Sequence, residues 1–489
     1  MQDPVYLTFD IGTSALKTAL VADDGAMLAV DTVEYSFLMP RPGWAEMDPD
    51  TYWQAAVAGT SRVLEESGTD PASVSAIGFS SQGQTFVPIG ASGKPMHNAV
   101  VWLDERAGDI ACEWESTWLS RDKYRAVTGY PLVTPLLTPF KLAWFARNEP
   151  EVTGAWKILL LSDYMIFRMT GETFTDFTIA QFSGMYNIVT REWDSEILAA
   201  SGVSAGQLSA VLNPGTVAGK LTAEAATELG LPPGVPVCVG ANDQLCGAVG
   251  AGNVREGIVS ETTGTALAVV ATTNELVDDS GLVVGVHPVG DAFFAMPCAI
   301  TSGIVLKWLR DLCGDGESYE DFLRGVGEIA IGSDGLTALT HFGGTGSPDF
   351  RSDVRGAFAG LTLGHTKAHM ARAVMESCCF VLKELLGLVG RHGVASEVVR
   401  SLGGAARSEM WLQMKADVLG LPVERPTCSD AASLGAAMLA ASGVGDCSLK
   451  ELSGSWYRPG KVFEPDAARV DAYRAVYERH LDVQKRVYG

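Results

Sequence analysis

Several function classes are excluded by what the chain lacks. Its nine cysteines include no C-x-x-C pair, and the only adjacent two are Cys378-Cys379. That usage excludes a disulfide framework or zinc module and reads as reduced, buried thiols of a cytoplasmic protein. The seven histidines are scattered without metal-ligand spacing. No charge-free apolar run approaches the ~18 residues of a membrane span, and the chain enters its first strand without a basic leader. Basic residues are few: 36 Lys and Arg stand against 58 Asp and Glu, a net charge of −22. Nucleic acid and anionic membranes are therefore unsuited as partners, and an anionic substrate needs local donors to overcome the overall field. Neither G-x-x-x-x-G-K-[ST] nor G-x-S-x-G occurs, which excludes a P-loop and a nucleophile elbow.

What is present is a large globular chain. With 489 residues, 47% hydrophobic and 19% charged, it is too long for one core, so two domains are expected. The most informative stretch is Val5 to Val21. Val5 to Phe9 reads as a strand, the segment around Asp10, Gly12, Thr13 and Ser14 as a tight turn, and Leu16 to Val21 as a second strand. Gly12 permits a backbone shape that a side chain forbids. Thr13, Ser14 and the free N–H groups of the turn suit an anion. Asp10, at the strand end, suits a magnesium ion held through water. An ordinary Asp-Gly hairpin would have the same letters. Residues 257–271 repeat the plan: Gly264-Thr265 aligns with Gly12-Thr13, the flanking apolar runs fall into register, and Asp10 stands opposite Thr262. Two such units, each opening half of the chain, predict two related domains, 1–252 and 253–489, with two phosphate-binding turns lining one cleft. Chance similarity of two common hairpins is the alternative.

Taken in order, Asp48-Pro49 starts a helix through about Ser67, with Asp48 as cap. Val74 to Phe79 is a strand that empties into the polar turn Ser80-Ser81-Gln82-Gly83-Gln84-Thr85, and pockets form at such strand ends. In Val100 to Arg106, Trp102 either stacks on a sugar ring or belongs to the core, while Asp104 and Arg106 suit hydroxyl groups. Residues 128–140, with Pro131, Pro135 and Pro139, read as an irregular loop. A buried strand ends at Gly240, and Asp243 then opens a helix of small residues. Asp243 is either a helix cap or a general base. In the second half, 299–312 and 368–391 read as helices, and 398–402 as a strand leading to Gly403-Gly404, a pair that admits a ligand near the next helix's positive end. Gly343 to Ser347 reads as a loop, 431–441 as a helix rich in small residues, and 464–487 as an amphipathic helix.

These motifs together resemble the FGGY carbohydrate kinases, relatives of actin and the 70-kDa chaperones. Phe9-Asp-Ile-Gly-Thr-Ser14 is similar to that family's first phosphate motif. Gly240-Ala-Asn-Asp-Gln244 with Gly247 to Gly252 resembles its catalytic-aspartate motif, and Thr263-Gly-Thr265 its second phosphate motif. Leu402 to Trp411 with Gln413 to Asp417 resembles its adenosine motif, and 431–441 its closing helix.

The resemblance implies an α/β fold of two actin-like, ribonuclease-H-like domains with a central cleft, and an enzyme using ATP and Mg2+. By this likeness Asp10 positions magnesium, and Thr13, Ser14 and Lys17 join Gly264 and Thr265 at the phosphates. Gly303, Lys307, Gly403, Gly404, Ala405 and Ser408 hold the nucleoside. Asp243 takes the proton of a sugar hydroxyl. Gln82, Gly83, Gln84, Trp102, Asp104 and Gln244 are the sugar-side candidates. Gly83-Gln84 stands where xylulokinases carry Met-His and glycerol kinases Arg-Glu, yet Trp102-Leu-Asp-Glu-Arg106 is nearer the xylulokinase pattern. The expected activity is phosphorylation of a ketose such as xylulose. Glycerol or another short polyol is the alternative, and a non-catalytic sugar- and nucleotide-binding regulator or an actin-like ATPase ranks lower. The expected partner is a small sugar, with a homodimer allowed and neither nucleic acid nor membrane involved.

Overall fold

A computed structural model describes residues 3–314 and 316–489. Contacts divide the chain into two α/β units. The first holds the residues up to Val254 together with Val284–Phe293 and Asp430–Tyr457; the second holds Arg255–Val283, Phe294–Ser429 and Arg458–Gly489.

The first unit is organised by its opening hairpin. Val5–Ile11 pairs antiparallel with Ala15–Ala22, which pairs antiparallel with Met27–Glu34. On its other side Val5–Ile11 runs parallel to Val74–Ser81. That strand runs parallel to Pro236–Cys238, and Val217–Lys220 closes the edge antiparallel. Helices Pro49–Ser67 and Ala431–Val444 pack on this sheet. Val5–Ile11 is accordingly an almost unbroken buried run, without the alternation of a half-exposed strand. The second of these helices must approach closely: a Cβ on Gly78 would lie 2.5 Å from the Ala436 carbonyl oxygen. Gly435 and Gly250 are pressed in the same way where Ala431–Val444 meets the helix Asp243–Gly250, which explains their small residues.

A smaller sheet places Phe86–Ile89 antiparallel to both Ala99–Val100 and Lys157–Leu160. It anchors the polar turn before Phe86 and the segment carrying Trp102 just after Val100.

The second unit repeats the topology. Gly257–Thr263 pairs antiparallel with Leu267–Thr273 and parallel with Ser396–Leu402. Ser396–Leu402 runs parallel to Val423–Arg425, and Lys461–Phe463 closes the edge antiparallel. Helices Gly303–Cys313, Lys367–Gly390, Glu409–Leu419 and Ala467–Tyr488 surround a core that includes Val305, Leu309, Val374, Cys379 and Trp411.

Local signals hold where capping is explicit. Asp48 accepts from the Asp50 N–H at 3.0 Å, Pro49 opens the helix, and Gly68 ends it at φ +64°. Several boundaries differ from the sequence reading: the alanine-rich helix runs on to Val444, the last helix starts only at Ala467, and two further differences have a clear cause. Cys298–Ala299 is a strand paired with Leu267 and Ala268, so the helix begins only at Gly303. Irregular chain is confined to 129–137, because Pro139 lies in the first turn of the helix Thr138–Asn148, where its missing N–H costs nothing. Among the described residues no helix is long and apolar enough to cross a membrane.

Candidate active site

In the first unit the turn after Val5–Ile11 is tied to two other segments. The Gln82 side chain donates to the Gly12 carbonyl at 3.1 Å and accepts from Thr13 Oγ1 at 3.4 Å. The Trp102 indole N–H donates to Thr13 Oγ1 at 2.9 Å. Thr13, Gln82 and Trp102 therefore form one cluster, with exposed Ser14 beside it. Lys17, paired with Asp10 across the hairpin, reaches Asp430 at 2.8 Å at the start of the alanine-rich helix.

Asp10 lies opposite Ser80 in the parallel register and accepts from Ser80 Oγ at 2.7 Å. Burial holds its carboxyl above the ordinary range, against the opposing effects of that bond and of Lys17. Asp243 is the first residue of the helix Asp243–Gly250, and its cap is Asn242, whose side chain accepts from the Gln244 N–H at 3.1 Å. Asp243 Oδ1 accepts from the same N–H at 2.8 Å. Burial, and next the negative charge of Asp10, push the Asp243 carboxyl up to about 7. Two raised carboxyls, Asp243's lifted in part by the charge of Asp10, suit a hard divalent cation that keeps most of its waters. Among the described residues no group of three or more His, Cys, Asp or Glu forms a metal site, so a magnesium ion would rest on Asp10 with water and phosphate.

On the sugar side, Gln84 adopts φ +62°, a conformation few non-glycine residues take. Its amide donates to the Tyr130 hydroxyl at 2.9 Å, which donates to the Phe182 carbonyl at 3.2 Å. A Cβ on Gly83 would press on Phe182 at 2.9 Å. Asp104 is fully buried and engaged: it accepts from Arg106 Nε at 2.8 Å and from the Ala45 N–H at 2.7 Å. Arg106 also reaches Glu46 at 2.7 Å and lies over the Trp44 ring at 3.9 Å. The Asp104–Arg106 pair thus braces the Trp102 segment from behind.

In the second unit a cavity of about 700 Å³ is lined by Gly264, Thr265, Gly303, Lys307, Ala405 and Ser408, with Gly404 beside them. That size suits a small-molecule ligand. Gly303 is needed for close approach, since a Cβ there would lie 2.6 Å from the Gly264 carbonyl oxygen. The Ser302 N–H donates to the Thr265 carbonyl at 2.9 Å, fixing the turn to the helix start. Gly403 takes φ +76°, which favours glycine. Ser408 caps Glu409–Leu419 by accepting from the Trp411 N–H at 3.3 Å. Lys307 pairs with Asp311 at 2.5 Å.

Several supporting residues escape a reading of the sequence. Lys141 is fully buried and donates to the Val101 and Trp102 carbonyls at 3.0 and 2.9 Å. Burial brings its ammonium down to about 7. The only signal was a lysine between Phe140 and Leu142 in an apolar helix face. Thr178 accepts from the Asn242 N–H at 2.8 Å, and Asp176 in turn accepts from Thr178. Asp176 caps Phe177–Phe182, and its Asp-x-Thr spacing was a legible cap.

Comparison with known proteins places the chain. Residues 5–250 match the FGGY family of carbohydrate kinases, N-terminal domain, and residues 258–444 match its C-terminal domain. A xylulose kinase of Bacillus subtilis (strain 168) is 29% identical over 487 residues, covering 98% of this chain and 95% of the relative. A glycerol kinase of Geobacillus sp. (strain WCH70) is 30% identical over 486 residues, covering 95% of each. The crystal structure of ligand-bound xylulose kinase from Lactobacillus acidophilus superposes with a TM-score of 0.91 at 25% identity, over 99% of both chains. Two family domains matched in order across most of the chain, on a fold of two α/β units, leave one assignment: the chain belongs to the FGGY family of carbohydrate kinases.

Proposed function

We propose that this sugar kinase transfers the γ-phosphoryl group of ATP to a hydroxyl of a ketose such as xylulose, with Asp243 as general base. The observation that carries the proposal is the Asp243 carboxyl, raised to about 7 beside Asp10 and not needed as a helix cap because Asn242 fills that place. A base near neutrality is matched to removing a hydroxyl proton as the new P–O bond forms. Gln84 and Trp102 are the sugar-side contacts in this reading. Gln82 and Asp104 act behind them, given their engagement with the turn and with Arg106. Thr13, Ser14, Gly264 and Thr265 receive phosphate, and the 700 Å³ cavity receives the nucleoside. Magnesium, held by Asp10 through water, would neutralise charge on the phosphates.

A short polyol is the second reading, favoured by the glycerol kinase relative at 30% identity. ADP release measured over ketoses, glycerol, other polyols and sugar acids tests both. Turnover on a ketose at least tenfold above any polyol supports the first reading, and the reverse order supports the second.

A further inference from the structure

Beneath the Gly264-Thr265 turn lies a buried charge network with no counterpart at the matching positions among the described residues of the first unit. The Lys415 side chain is 1% exposed and that of Glu261 is fully buried. Lys415 Nζ donates to Glu261 Oε1 at 2.5 Å, to Thr263 Oγ1 at 3.0 Å and to Ser401 Oγ at 3.1 Å. Thr263 Oγ1 donates to Glu261 Oε2 at 2.6 Å, and Ser401 Oγ donates to Glu261 Oε1. One ammonium thus joins the strand entering the Gly264 turn, the strand entering Gly403-Gly404, and the helix begun at Ser408. The Gly264 turn, the loop from Gly404 and the start of that helix line the 700 Å³ cavity.

The repeated topology supplies an internal control. Aligning Gly12-Thr13 with Gly264-Thr265 puts Phe9 at the place of Glu261. In the parallel registers Phe9 faces Phe79, and Glu261 faces Ser401. The first unit fills these positions with two buried phenyl rings 5.8 Å apart. The fold therefore builds without an ion pair there. Buried ion pairs add little net stability over apolar residues of similar volume, but their fixed bonds can hold a geometry that interchangeable apolar contacts do not.

We propose that Lys415 is a positioning residue for nucleotide phosphate: through Glu261, Thr263 and Ser401 it fixes the Gly264-Thr265 turn against the Gly403-Gly404 loop. This rests on the reading of the cavity as the ATP site. Lys415→Met alone would leave Glu261 buried without its counter-charge, so the informative variant is Glu261→Gln/Lys415→Met. Its thermal stability, ADP affinity by calorimetry, kcat and both KM values are compared with wild type. The expected result is a folded protein with unchanged sugar KM, ATP KM and ADP Kd raised at least tenfold, and kcat lowered about tenfold. Unchanged ATP KM and kcat would overturn the proposal, as would a parallel rise of both KM values with a fall in Tm, which marks general loosening. Gly303→Val separates the underlying reading. If ADP affinity is unaffected there, the cavity is not the nucleotide site and the proposal falls with it. If Gly303→Val weakens ADP while the double variant does not, only the role of Lys415 falls.

Discussion

Asp243→Asn is the substitution on which the catalytic reading turns, and its two consequences run in opposite directions. Asn keeps the shape of the side chain and its carbonyl oxygen can still accept from the Gln244 N–H, while Asn242 continues to cap the helix. What is lost is the proton acceptor. General-base contributions are typically about 10²–10⁴-fold, so kcat in an ADP-release assay on the best acceptor should fall by that factor while both KM values change little. The wild-type kcat/KM should fall as pH drops below about 7, the region to which the carboxyl is raised, and the variant should lose that limb. Stability should move the other way. A carboxyl raised from 3.8 to about 7 contributes stability that is complete below its unfolded value and is lost as pH rises through 7. Above that pH its charge costs on the order of 4 kcal/mol from the shift alone, screened by partial exposure to about 1–3 kcal/mol. Asn carries no charge, so in metal-free buffer at pH 8 the variant should be more stable by about 1–3 kcal/mol in urea titrations. A folded variant with near wild-type kcat would refute the base, and lower stability at pH 8 would refute the electrostatic account of the site.

Gln84→Leu should lower kcat/KM for the sugar by the equivalent of about 1–3 kcal/mol while ATP KM holds, because a buried hydroxyl loses its partner; unchanged sugar kinetics would remove Gln84 from the site. Gly303→Val places a branched side chain where even a Cβ lies 2.6 Å from the Gly264 carbonyl oxygen, so ADP affinity should fall at least tenfold by calorimetry with sugar KM unchanged. Asp163 is fully buried and its carboxyl is raised from 3.8 to about 7 by burial. Its contribution is present below the unfolded value and lost as pH rises through 7, so Asp163→Asn should flatten the decline of stability between those pH values, read by denaturant titration at several pH values. A slope identical to wild type would show that the group titrates normally.

The features legible in the sequence were those specified by local chemistry. The Asp48-Pro49 helix start and the Gly403-Gly404 turn depend on a cap or a backbone conformation that few residues supply, whereas Gly12 is not at positive φ and is held to glycine only by the Ala15 carbonyl oxygen, 3.0 Å from where a Cβ would lie. Ala431–Val444 showed itself as a helix rich in small residues, and the close packing of its partner, the helix that Asp243 opens, was legible in Gly247, Ala248, Gly250 and Ala251. The supporting residues were not, because their roles are set by partners far away in the chain. Lys141 meets Trp102 across 39 positions, and Lys415 meets Glu261 across 154. Asp104 read as a sugar ligand from its neighbours in sequence, but its oxygens are engaged by Arg106 and the Ala45 amide. From its place in the sequence Asp243 read more readily as a cap than as a base, because the next-door Asn242 could not be assigned the cap without the backbone.

The two hairpins differ in charge, and the difference suits the roles proposed for them. The first unit leaves two carboxyls, Asp10 and Asp243, near enough to raise one of them through the charge of the other. That arrangement is unfavourable unless a cation or a transferable proton is present, and a phosphate alone would be repelled. The second unit has Thr262 at the place of Asp10, and its one acid at the turn, Glu261, is neutralised by Lys415. With no uncompensated negative charge beneath it, the backbone of that turn can accept an anion directly. A chain of net charge −22 could not gather a polyphosphate by its overall field, so the proposed phosphate site needs local donors such as those of the neutral turn. The divergence at positions 10 and 262, within the same strand-turn-strand topology, fits the proposed division of acid, metal and proton chemistry in one unit from anion holding in the other. Thr262→Asp tests the step: it restores the first unit's acid in the second, and should weaken ADP binding at least tenfold without altering sugar KM. Retained affinity would mean that the charge of the turn is not what admits the phosphate.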